Sequence, residues 1–323
     1  MDELIKVRNL KKYFAASSGK LHAVDGLSFS IQRGKTLGVV GESGCGKSTL
    51  GRALIGLLDV TEGEVVFKGR DITHAKGRER KALCREMQMI FQDPFSSLDP
   101  RLCAFDLIAE PLAVFKVCKT RDELEKRVGA LMDTVGISEQ MAYSYPYELD
   151  GGRRQRIGIA RALALEPDFI VCDEPVSALD VSVQAQFLNL LKKLQRGRGI
   201  TYLFITHDLS VVKHISDDVL VMYMGRMVEK APSKKLFEAP LHPYTKGLLS
   251  AIPIPKLRGR RERIIMKGEI TSPIDPEPGC RFAARCPYAR ELCFRAQPEL
   301  VQLQPEHFVA CHFVEEINGL SAG

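Results

Sequence analysis

Residues Gly41 to Thr49 read GESGCGKST, in which two glycines, a lysine and a hydroxyl residue stand at G-x-x-x-x-G-K-[ST] spacing. A short apolar run, Thr36 to Val40, precedes this loop, and leucines at helical spacing follow it. Glycines at a strand-to-helix turn let backbone N–H groups face inward, which suits phosphate oxygens. An ordinary glycine-rich turn is the alternative, and the strand and helix context argues against it. The stretch therefore predicts a nucleotide phosphate site within an α/β fold.

Two side chains of this loop carry specific chemistry. We expect Lys47 to reach the β- and γ-phosphates and the Ser48 hydroxyl to be one ligand of Mg²⁺. Tyr13 is a candidate platform for adenine because a flat ring stacks on a base, although such a tyrosine otherwise serves plain packing. The remaining nucleotide contacts that we expect from the loop are Gly41, Ser43, Gly44, Cys45, Gly46 and Thr49.

Composition narrows the class of protein. With 323 residues, 45% hydrophobic and 27% charged, the chain is long enough for one large domain and an appendage. A net charge of +6 does not argue for nucleic acid, and the basic run 256–263 is typical of a solvated linker. The sequence has no apolar run near the roughly 18 residues of a membrane span and no signal peptide, which predicts a cytoplasmic location.

Further along the chain, two apolar strands end in polar residues. Phe169 to Asp173 is followed by Glu174, and we expect Asp173 to hold the Mg²⁺ water shell and Glu174 to polarise the attacking water. A helix N-cap is the plainer interpretation of such an acidic pair. His207 follows the strand 202–205, where the carboxyl end of a parallel strand would direct it at the γ-phosphate. A lone histidine there is otherwise structural.

The alternation of strand and helix signals predicts an α/β core with a mainly parallel sheet. Residues 2–33 alternate as strands, with a polar break over residues 15–20. Residues 93–166 read as a helical subdomain within an ATP-binding domain that spans 1–250. A Pro-rich and basic linker, 251–279, leads to a small module at 280–323.

These motifs, in this order, resemble the ATP-binding subunits of ABC transporters, and most closely those of the oligopeptide/dipeptide importer group. GESGCGKST resembles the Walker A motif, IVCDE the Walker B motif, SALD the D-loop and THD the switch histidine. Gln92, in FQDPFSSLDP, stands in the Q-loop position, Asp180 closes the D-loop, and Tyr13 matches the adenine-stacking aromatic. The resemblance covers essentially the whole chain, and the HPYT of 242–245, Ser272-Pro273 and the C-terminal cysteines narrow it to the peptide group.

The resemblance implies a P-loop NTPase cassette of the ABC type, with a RecA-like core, N-terminal antiparallel strands, a helical subdomain and a small Cys-rich C-terminal extension. It implies ATP hydrolysis with Mg²⁺, with Gln92 as a metal ligand and nucleotide sensor and with Asp180 as a catalytic residue. The implied partners are a second, homologous ATPase subunit, two membrane-spanning permease subunits and an extracellular or periplasmic substrate-binding protein, without nucleic acid. The chain would sit peripherally on the cytoplasmic face of the membrane.

Two alternatives remain open at this point. An importer of a metal chelate such as nickel shares every motif. A soluble ABC-type ATPase acting on nucleic acid or ribosomes commonly carries tandem cassettes or a coiled-coil insert, whereas this chain has one cassette and no heptad run.

One motif departs from the family pattern. The signature is usually LSGGQ, and this chain reads LDGGR over 149–153. In the family each ATP lies between the Walker A motif of one subunit and the signature of the other, so Asp150 would face phosphate. Two like charges ~4 Å apart repel each other by roughly 4 kcal/mol at an effective dielectric of ~20. Arg153 would offset part of this cost. We therefore expect an asymmetric heterodimer, in which the partner's ATP site is the weak one. Alternatively, the backbone N–H groups of Gly151 and Gly152 carry the contact unaided.

The last part of the chain is rich in cysteine. Its thiols could hold Zn²⁺, an iron–sulfur cluster or nothing, and their spacing lacks the C-x₂₋₄-C of structural zinc sites. The wider gaps favour a cubane cluster, and we expect Arg281, Arg285, Arg290 and Arg295 to offset its charge. Related tails carry a [4Fe–4S] cluster, which points the same way. The candidate ligands are Cys280, Cys286, Cys293 and Cys311.

Overall fold

The computed structural model describes residues 2–93, 97–177, 180–251, 264, 266, 268 and 272–320. The chain divides into two compact units. The first comprises Met1–Gln32, Thr36–His74 and Phe204–Gly323, and the second comprises Arg33–Lys35 and Ala75–Leu203. The basic run 256–263 and most of the predicted linker lie outside the described residues, and the predicted domain boundaries stay a prediction.

The described strands and helices follow the alternation expected from the sequence. The strands are β1 (Glu3–Ala16), β2 (Gly19–Gln32), β3 (Thr36–Val40), β4 (Glu62–Phe67), β5 (Arg70–Asp71), β6 (Met87–Ile90), β7 (Phe169–Asp173), β8 (Thr201–Ile205), β9 (Asp218–Tyr223), β10 (Arg226–Pro232), β11 (Val301–Gln304) and β12 (His307–Val309). The α-helices are α1 (Lys47–Leu54), α2 (Gly77–Glu86), α3 (Ala104–Val114), α4 (Arg121–Val135), α5 (Gly151–Leu163), α6 (Val181–Arg198), α7 (Leu209–Ile215), α8 (Ser233–Glu238), α9 (Pro243–Ser250), α10 (Glu291–Arg295) and α11 (Val314–Asn318).

The first unit begins with an antiparallel sheet in the order β2-β1-β4-β5. Its apolar side chains alternate along β1 and β2, and those at Ile5, Val7 and Leu27 are buried. Pairing continues to Ala16 opposite Gly19, so the expected polar break over residues 15–20 is wrong in length. The predicted N-terminal antiparallel strands are confirmed.

A second set of strands in this unit runs β11-β12-β10-β9-β3. β3 and β9 are parallel, and β10, β12 and β11 continue antiparallel at the edge. β3 is buried along its whole length, which explains why it reads as an unbroken apolar run. The C-terminal segment, residues 280–320, is thus part of the first unit, because Glu229 of β10 pairs with Val309 of β12.

The second unit contains the predicted helical segment. In α4, Thr120 caps the N-terminus by accepting a hydrogen bond from the Glu123 N–H, and Gly136 ends the helix in the left-handed conformation. Its buried side chains, Val128, Leu131, Met132 and Val135, are the face that the periodicity predicts. β6 and β7 pair in parallel, and β7 is buried throughout. The α/β class and the helical segment are confirmed.

Among the residues that the structure describes, every helix is too short or too polar to cross a bilayer.

Candidate functional site

The predicted phosphate loop connects β3 to α1 and curls around the ammonium of its own lysine. Lys47 is buried, and its Nζ donates hydrogen bonds to the carbonyls of Gly41 (2.8 Å) and Glu42 (2.9 Å). A buried ammonium needs such acceptors. They hold it inside the loop, where it can turn to an incoming phosphate.

Two glycines make this curvature possible. Gly46 has φ of 103°, and a Cβ there would lie 1.9 Å from the carbonyl oxygen of Ala23. Gly41 has φ of 154°, and a Cβ there would lie 2.2 Å from the carbonyl oxygen of Met222. Only glycine fits both positions, so the loop's shape is fixed by its sequence. This curvature is consistent with the backbone cradle that the sequence predicts, and binding of phosphates there stays a prediction.

Tyr13 lies on β1, opposite His22 of β2. The two rings stack with centroids 4.0 Å apart, and the Tyr13 hydroxyl donates to the Asp25 carboxylate at 2.6 Å. Burial, together with the hydrogen bond to that carboxylate, raises the pKa of Tyr13 well above its ordinary value. The tyrosine is therefore held in one orientation, and its ring remains partly exposed.

Asp25 is almost fully buried and is surrounded by donors. Arg226 lies 3.0 Å from its Oδ2, and Arg281 of the C-terminal segment also donates to it. Burial alone would raise the pKa of Asp25, but the hydrogen bond from Tyr13 and the charges of both arginines lower it overall. The Asp25 carboxylate therefore remains ionised, and its hydrogen bond with the Tyr13 hydroxyl holds that side chain in place.

At the end of β7 the two carboxylates have different environments. Asp173 is completely buried, whereas Glu174 is partly exposed and has φ of 44°. A positive φ is uncommon outside glycine and typical of functional turns. Gln92 donates from Nε2 to the Glu174 carboxylate at 3.1 Å. The predicted Q-loop glutamine and the predicted catalytic carboxylate are thus in direct contact.

His207 is exposed just beyond β8. The N–H of the preceding Thr206 donates to the carbonyl of Val39 at 3.2 Å, which places this turn beside the end of β3 that opens the phosphate loop. Asp180 is exposed and stands immediately before α6, where its carbonyl accepts from the Gln184 N–H. Residues 178 and 179 of the predicted D-loop lie outside the described residues.

The signature segment begins α5. Asp150 is the N-cap, and its Oδ1 accepts from the Arg153 N–H at 2.8 Å. Its Oδ2 also lies 3.4 Å from the Arg153 guanidinium. Gly151 and Gly152 form the first turn of the helix. The carboxylate therefore satisfies the helix N-terminus, a role that the sequence reasoning did not assign to it.

Comparisons with known proteins identify the family. A model described as ABC transporter matches residues 24–177, and one described as Oligopeptide/dipeptide transporter, C-terminal region, matches residues 228–293. The putative oligopeptide transport ATP-binding protein YkfD of Bacillus subtilis is 51% identical over 96% of this chain and 95% of its own length. The chain belongs to the ABC transporter ATP-binding proteins. The predicted resemblance to their oligopeptide/dipeptide group is confirmed.

Other relatives place this ABC protein in the same group. The oligopeptide transport ATP-binding protein AppF of the same organism is 50% identical over 96% of this chain and 97% of its own length. A solved structure described as a dimeric, post-hydrolysis state of the ATP-binding cassette MJ0796, bound to ADP and Pi, is similar with a TM-score of 0.66. It is 29% identical and covers 71% of this chain and 98% of that one. The ABC-type cassette and ATP hydrolysis are therefore shown for this chain.

The cysteines of this ABC protein do not form a preformed ligand set. Among the described residues, no group of three or more His, Cys, Asp or Glu side chains is arranged to hold a metal ion. Cys280, Cys286, Cys293 and Cys311 are all free thiols. Burial, and then the neighbouring thiol groups, raise the pKa of Cys280 to about 11. The described thiols therefore do not form a ligand set for a cluster in the arrangement seen here.

The arginines between these cysteines pair with carboxylates. Arg285 pairs with Glu42 of the phosphate loop at 2.6 Å, and Arg281 donates to Asp25. The other two pair within the C-terminal segment: Arg290 with Glu316 and Arg295 with Glu291. Each arginine thus has a carboxylate partner in this structure, and the expectation that they offset a cluster's charge stays a prediction.

Sequence reasoning missed Glu42, Asp25 and the two arginines that reach them. Arg281 and Asp25 are 256 residues apart, and Arg285 and Glu42 are 243 residues apart. Local spacing carries no signal at such separations. Asp150 as an N-cap could have been found, since an aspartate just before a helix start is a common cap.

Proposed function

We propose that this chain is the ATP-hydrolysing subunit of an importer that carries oligopeptides or dipeptides across a membrane. The observation that carries the proposal is the match of residues 228–293 to the oligopeptide/dipeptide transporter C-terminal region, in a chain that also holds the phosphate loop. Two membrane-spanning permease subunits and an extracellular or periplasmic substrate-binding protein are its partners. It docks on the permease subunits from the cytoplasmic face.

Within the first unit, the proposed roles follow from chemistry. Lys47 binds the β- and γ-phosphates, and Ser48 offers its hydroxyl to Mg²⁺. His207 contacts the γ-phosphate, and Tyr13 stacks on adenine. The backbone N–H groups of Ser43, Gly44, Cys45, Gly46 and Thr49 complete the cradle. Support comes from the curvature of the loop and from the network that orients Tyr13.

Within the second unit, Glu174 polarises the attacking water, and Gln92 reports the state of the nucleotide. Their hydrogen bond connects Gln92 directly to the carboxylate that acts in hydrolysis. Gln92 would offer its side-chain oxygen to Mg²⁺, Asp173 would hold the water shell of the ion, and Asp180 would act in catalysis. Mg²⁺ typically takes one or two protein carboxylates plus waters and phosphates, so a dense cluster of side-chain ligands is not required. When bound, Mg²⁺ would supply positive charge that offsets the negative charge of the phosphates.

The ATPase pair is an asymmetric heterodimer. Asp150 presents a carboxylate where the family has a serine hydroxyl, and Arg153 offsets only part of its charge. The ATP on this chain's own Walker motifs is hydrolysed with the help of the partner ATPase's signature. The ATP on the partner's Walker A meets Asp150, together with Gly151 and Gly152, and is hydrolysed slowly.

For the C-terminal cysteines we keep the sequence proposal of a [4Fe–4S] cluster. It is supported by the four free thiols of Cys280, Cys286, Cys293 and Cys311, and it requires them to rearrange into a ligand set. The full chain, purified without oxygen, is expected to absorb near 400 nm and to contain iron and acid-labile sulfide. If the protein contains stoichiometric zinc and no iron, the cysteines form a zinc site and not a cluster. If the protein is metal-free and fully active, both the cluster and the zinc site are refuted.

Transport itself tests the main proposal. Proteoliposomes that contain the assembled complex are expected to take up labelled oligopeptides or dipeptides when ATP is supplied, and to lose uptake with Glu174→Gln. Uptake of a nickel chelate without uptake of peptides would overturn the substrate class. For the asymmetry, Glu174→Gln is compared with the equivalent change in the partner ATPase. Equal loss of ATP turnover from both changes would contradict the weak-site argument.

A further inference from the structure

The phosphate loop of this protein contains an acidic side chain that would oppose its ligand. Glu42 is the second residue of the loop, five residues before Lys47, and its own carbonyl accepts from the Lys47 ammonium. Nucleotide phosphates carry several negative charges, so an unpaired carboxylate in the same loop repels them. The loop needs something to neutralise Glu42 if it is to bind ATP tightly.

Arg285 supplies that neutralisation from the far end of the chain. Its Nη1 and Nη2 donate to the two carboxylate oxygens of Glu42 at 2.6 and 3.0 Å, a bidentate pair. The Arg285 side chain is 9% exposed and the Glu42 side chain 19%. The guanidinium also lies over the ring of Tyr223, 5.8 Å from its centroid. This pair is well shielded from solvent, unlike the surface pairs elsewhere in the C-terminal segment.

The backbone of Glu42 is held from the same half of the chain. Its N–H donates to the hydroxyl of Tyr244 at 2.9 Å, and Tyr244 is fully buried in α9. Tyr244 in turn packs edge-on against Tyr223, with ring centroids 4.7 Å apart. Both the charge and the backbone position of Glu42 are thus set by residues far beyond the loop.

We propose that Arg285 is a positioning residue of the nucleotide site, which neutralises and anchors Glu42 so that the phosphate loop can bind ATP. The C-terminal segment then contributes to ATP binding through Arg285. This inference rests on the proposed function, because it assumes that the Lys47 loop binds ATP. It adds that affinity for the phosphates depends on a contact outside every nucleotide motif.

A charge-neutralisation cycle tests the proposal with the full chain and a fluorescent ATP analogue. Arg285→Gln leaves Glu42 charged and is expected to raise the Kd for the nucleotide about 10-fold, as a unit charge within about 10 Å would at intermediate dielectric. Glu42→Gln combined with Arg285→Gln removes both charges and is expected to return the Kd to within about 3-fold of wild type. Arg285→Lys keeps the charge and is expected to stay within the same range.

Arg290→Gln is the matched control. Arg290 lies in the same segment and also forms a pair with a glutamate, but its side chain is half exposed and its partner, Glu316, is in that segment too. Its removal is expected to leave the Kd unchanged. If Arg285→Gln changes the Kd less than 2-fold, or if the double variant binds as weakly as the single one, the proposal is overturned.

Two further measurements separate the causes of failure. Circular dichroism follows the Tm of each variant; if Arg285→Gln does not fold, Arg285→Lys and the double variant still decide the question. Lys47→Ala in the wild-type background reports whether the loop binds ATP at all. If Lys47→Ala leaves the Kd unchanged, the proposed function fails; if it abolishes binding while Arg285→Gln does not matter, only the present inference fails.

Discussion

Replacing Asp150 separates two effects that this side chain combines. As the N-cap of α5 it stabilises the helix. In the proposed heterodimer its carboxylate would also repel the ATP of the opposite subunit. Ser and Asn cap as well as Asp, so Asp150→Ser and Asp150→Asn keep the first effect and remove the second. Asp150→Ala removes both, at a cost of about 1 kcal/mol in the free energy of unfolding.

The size of the repulsion follows from the environment of the carboxylate. A unit charge ~4 Å from a phosphate costs roughly 4 kcal/mol at an effective dielectric of ~20 and about 1 kcal/mol in water. The Asp150 side chain is 60% exposed, and Arg153 lies 3.4 Å away, so the value falls toward the lower end. We take about 1 to 2 kcal/mol, or roughly 5- to 30-fold in affinity.

The assay isolates the site that faces Asp150. In the assembled complex, Glu174→Gln is expected to silence the site on this chain's Walker motifs, so that the residual ATP turnover would come from the proposed partner's site. Asp150→Ser and Asp150→Asn, added to that background, are expected to raise the residual turnover at limiting ATP by the factor above. If neither variant raises it, the carboxylate is harmless and the N–H groups of Gly151 and Gly152 carry the contact.

Three further predictions concern the first unit. Burial lowers the pKa of His242 from 6.5 to about 4, so the folded protein favours the neutral imidazole. The resulting contribution to the free energy of unfolding is fully present above pH 6.5 and is lost as the pH falls toward 4. Urea unfolding is expected to show a loss of about 2 kcal/mol between pH 7.5 and pH 5, and His242→Asn, which keeps an acceptor for the helix N-terminus, is expected to remove that part of the pH dependence. Gly46→Ala is expected to abolish ATP-analogue binding and to lower the Tm, since its Cβ would meet a backbone oxygen at 1.9 Å. Gly129→Ala, in a helix with nothing within 4 Å of the new Cβ, is the control and is expected to raise the stability by up to about 1 kcal/mol; a tolerated Gly46→Ala would contradict the steric argument. Asp25→Asn is expected to cost about 3 kcal/mol in unfolding free energy because it leaves buried arginine charge without its counter-ion. It should also weaken adenine binding through Tyr13, and an unchanged Tm would show that the network contributes little.

The parts of the site that sequence predicted are those whose signal is local. The curvature of the phosphate loop, the buried run of β7 and the face of α4 each follow from residues within a few positions of one another. Steric demands on glycine and helical or strand periodicity act over that range, so a single sequence reveals them. The strand-to-helix order around Lys47 is predicted for the same reason.

The remainder depends on contacts between distant residues. Nothing near Arg285 indicates that it would meet Glu42 rather than balance thiolate charge, since opposite charges attract in either arrangement. Local sequence also does not reveal that the edge strands β11 and β12 belong to the first unit, because β12 pairs with β10 and the paired residues Glu229 and Val309 are 80 positions apart. β11 joins the sheet only through β12. Only the folded arrangement distinguishes these possibilities.

The bond between Arg285 and Glu42 has a consequence for biosynthesis. A ribosome releases the chain from its N-terminus, so residues 41–49 emerge when Arg285 has yet to be translated. Under the present proposal, the nascent loop carries an uncompensated carboxylate until Arg285 has been translated, and it is expected to hold cellular ATP more weakly until then. A nucleotide would then stabilise chains that include Arg285 more than shorter ones, and polypeptides that a premature stop releases before Arg285 are expected to be the ones that proteases remove first.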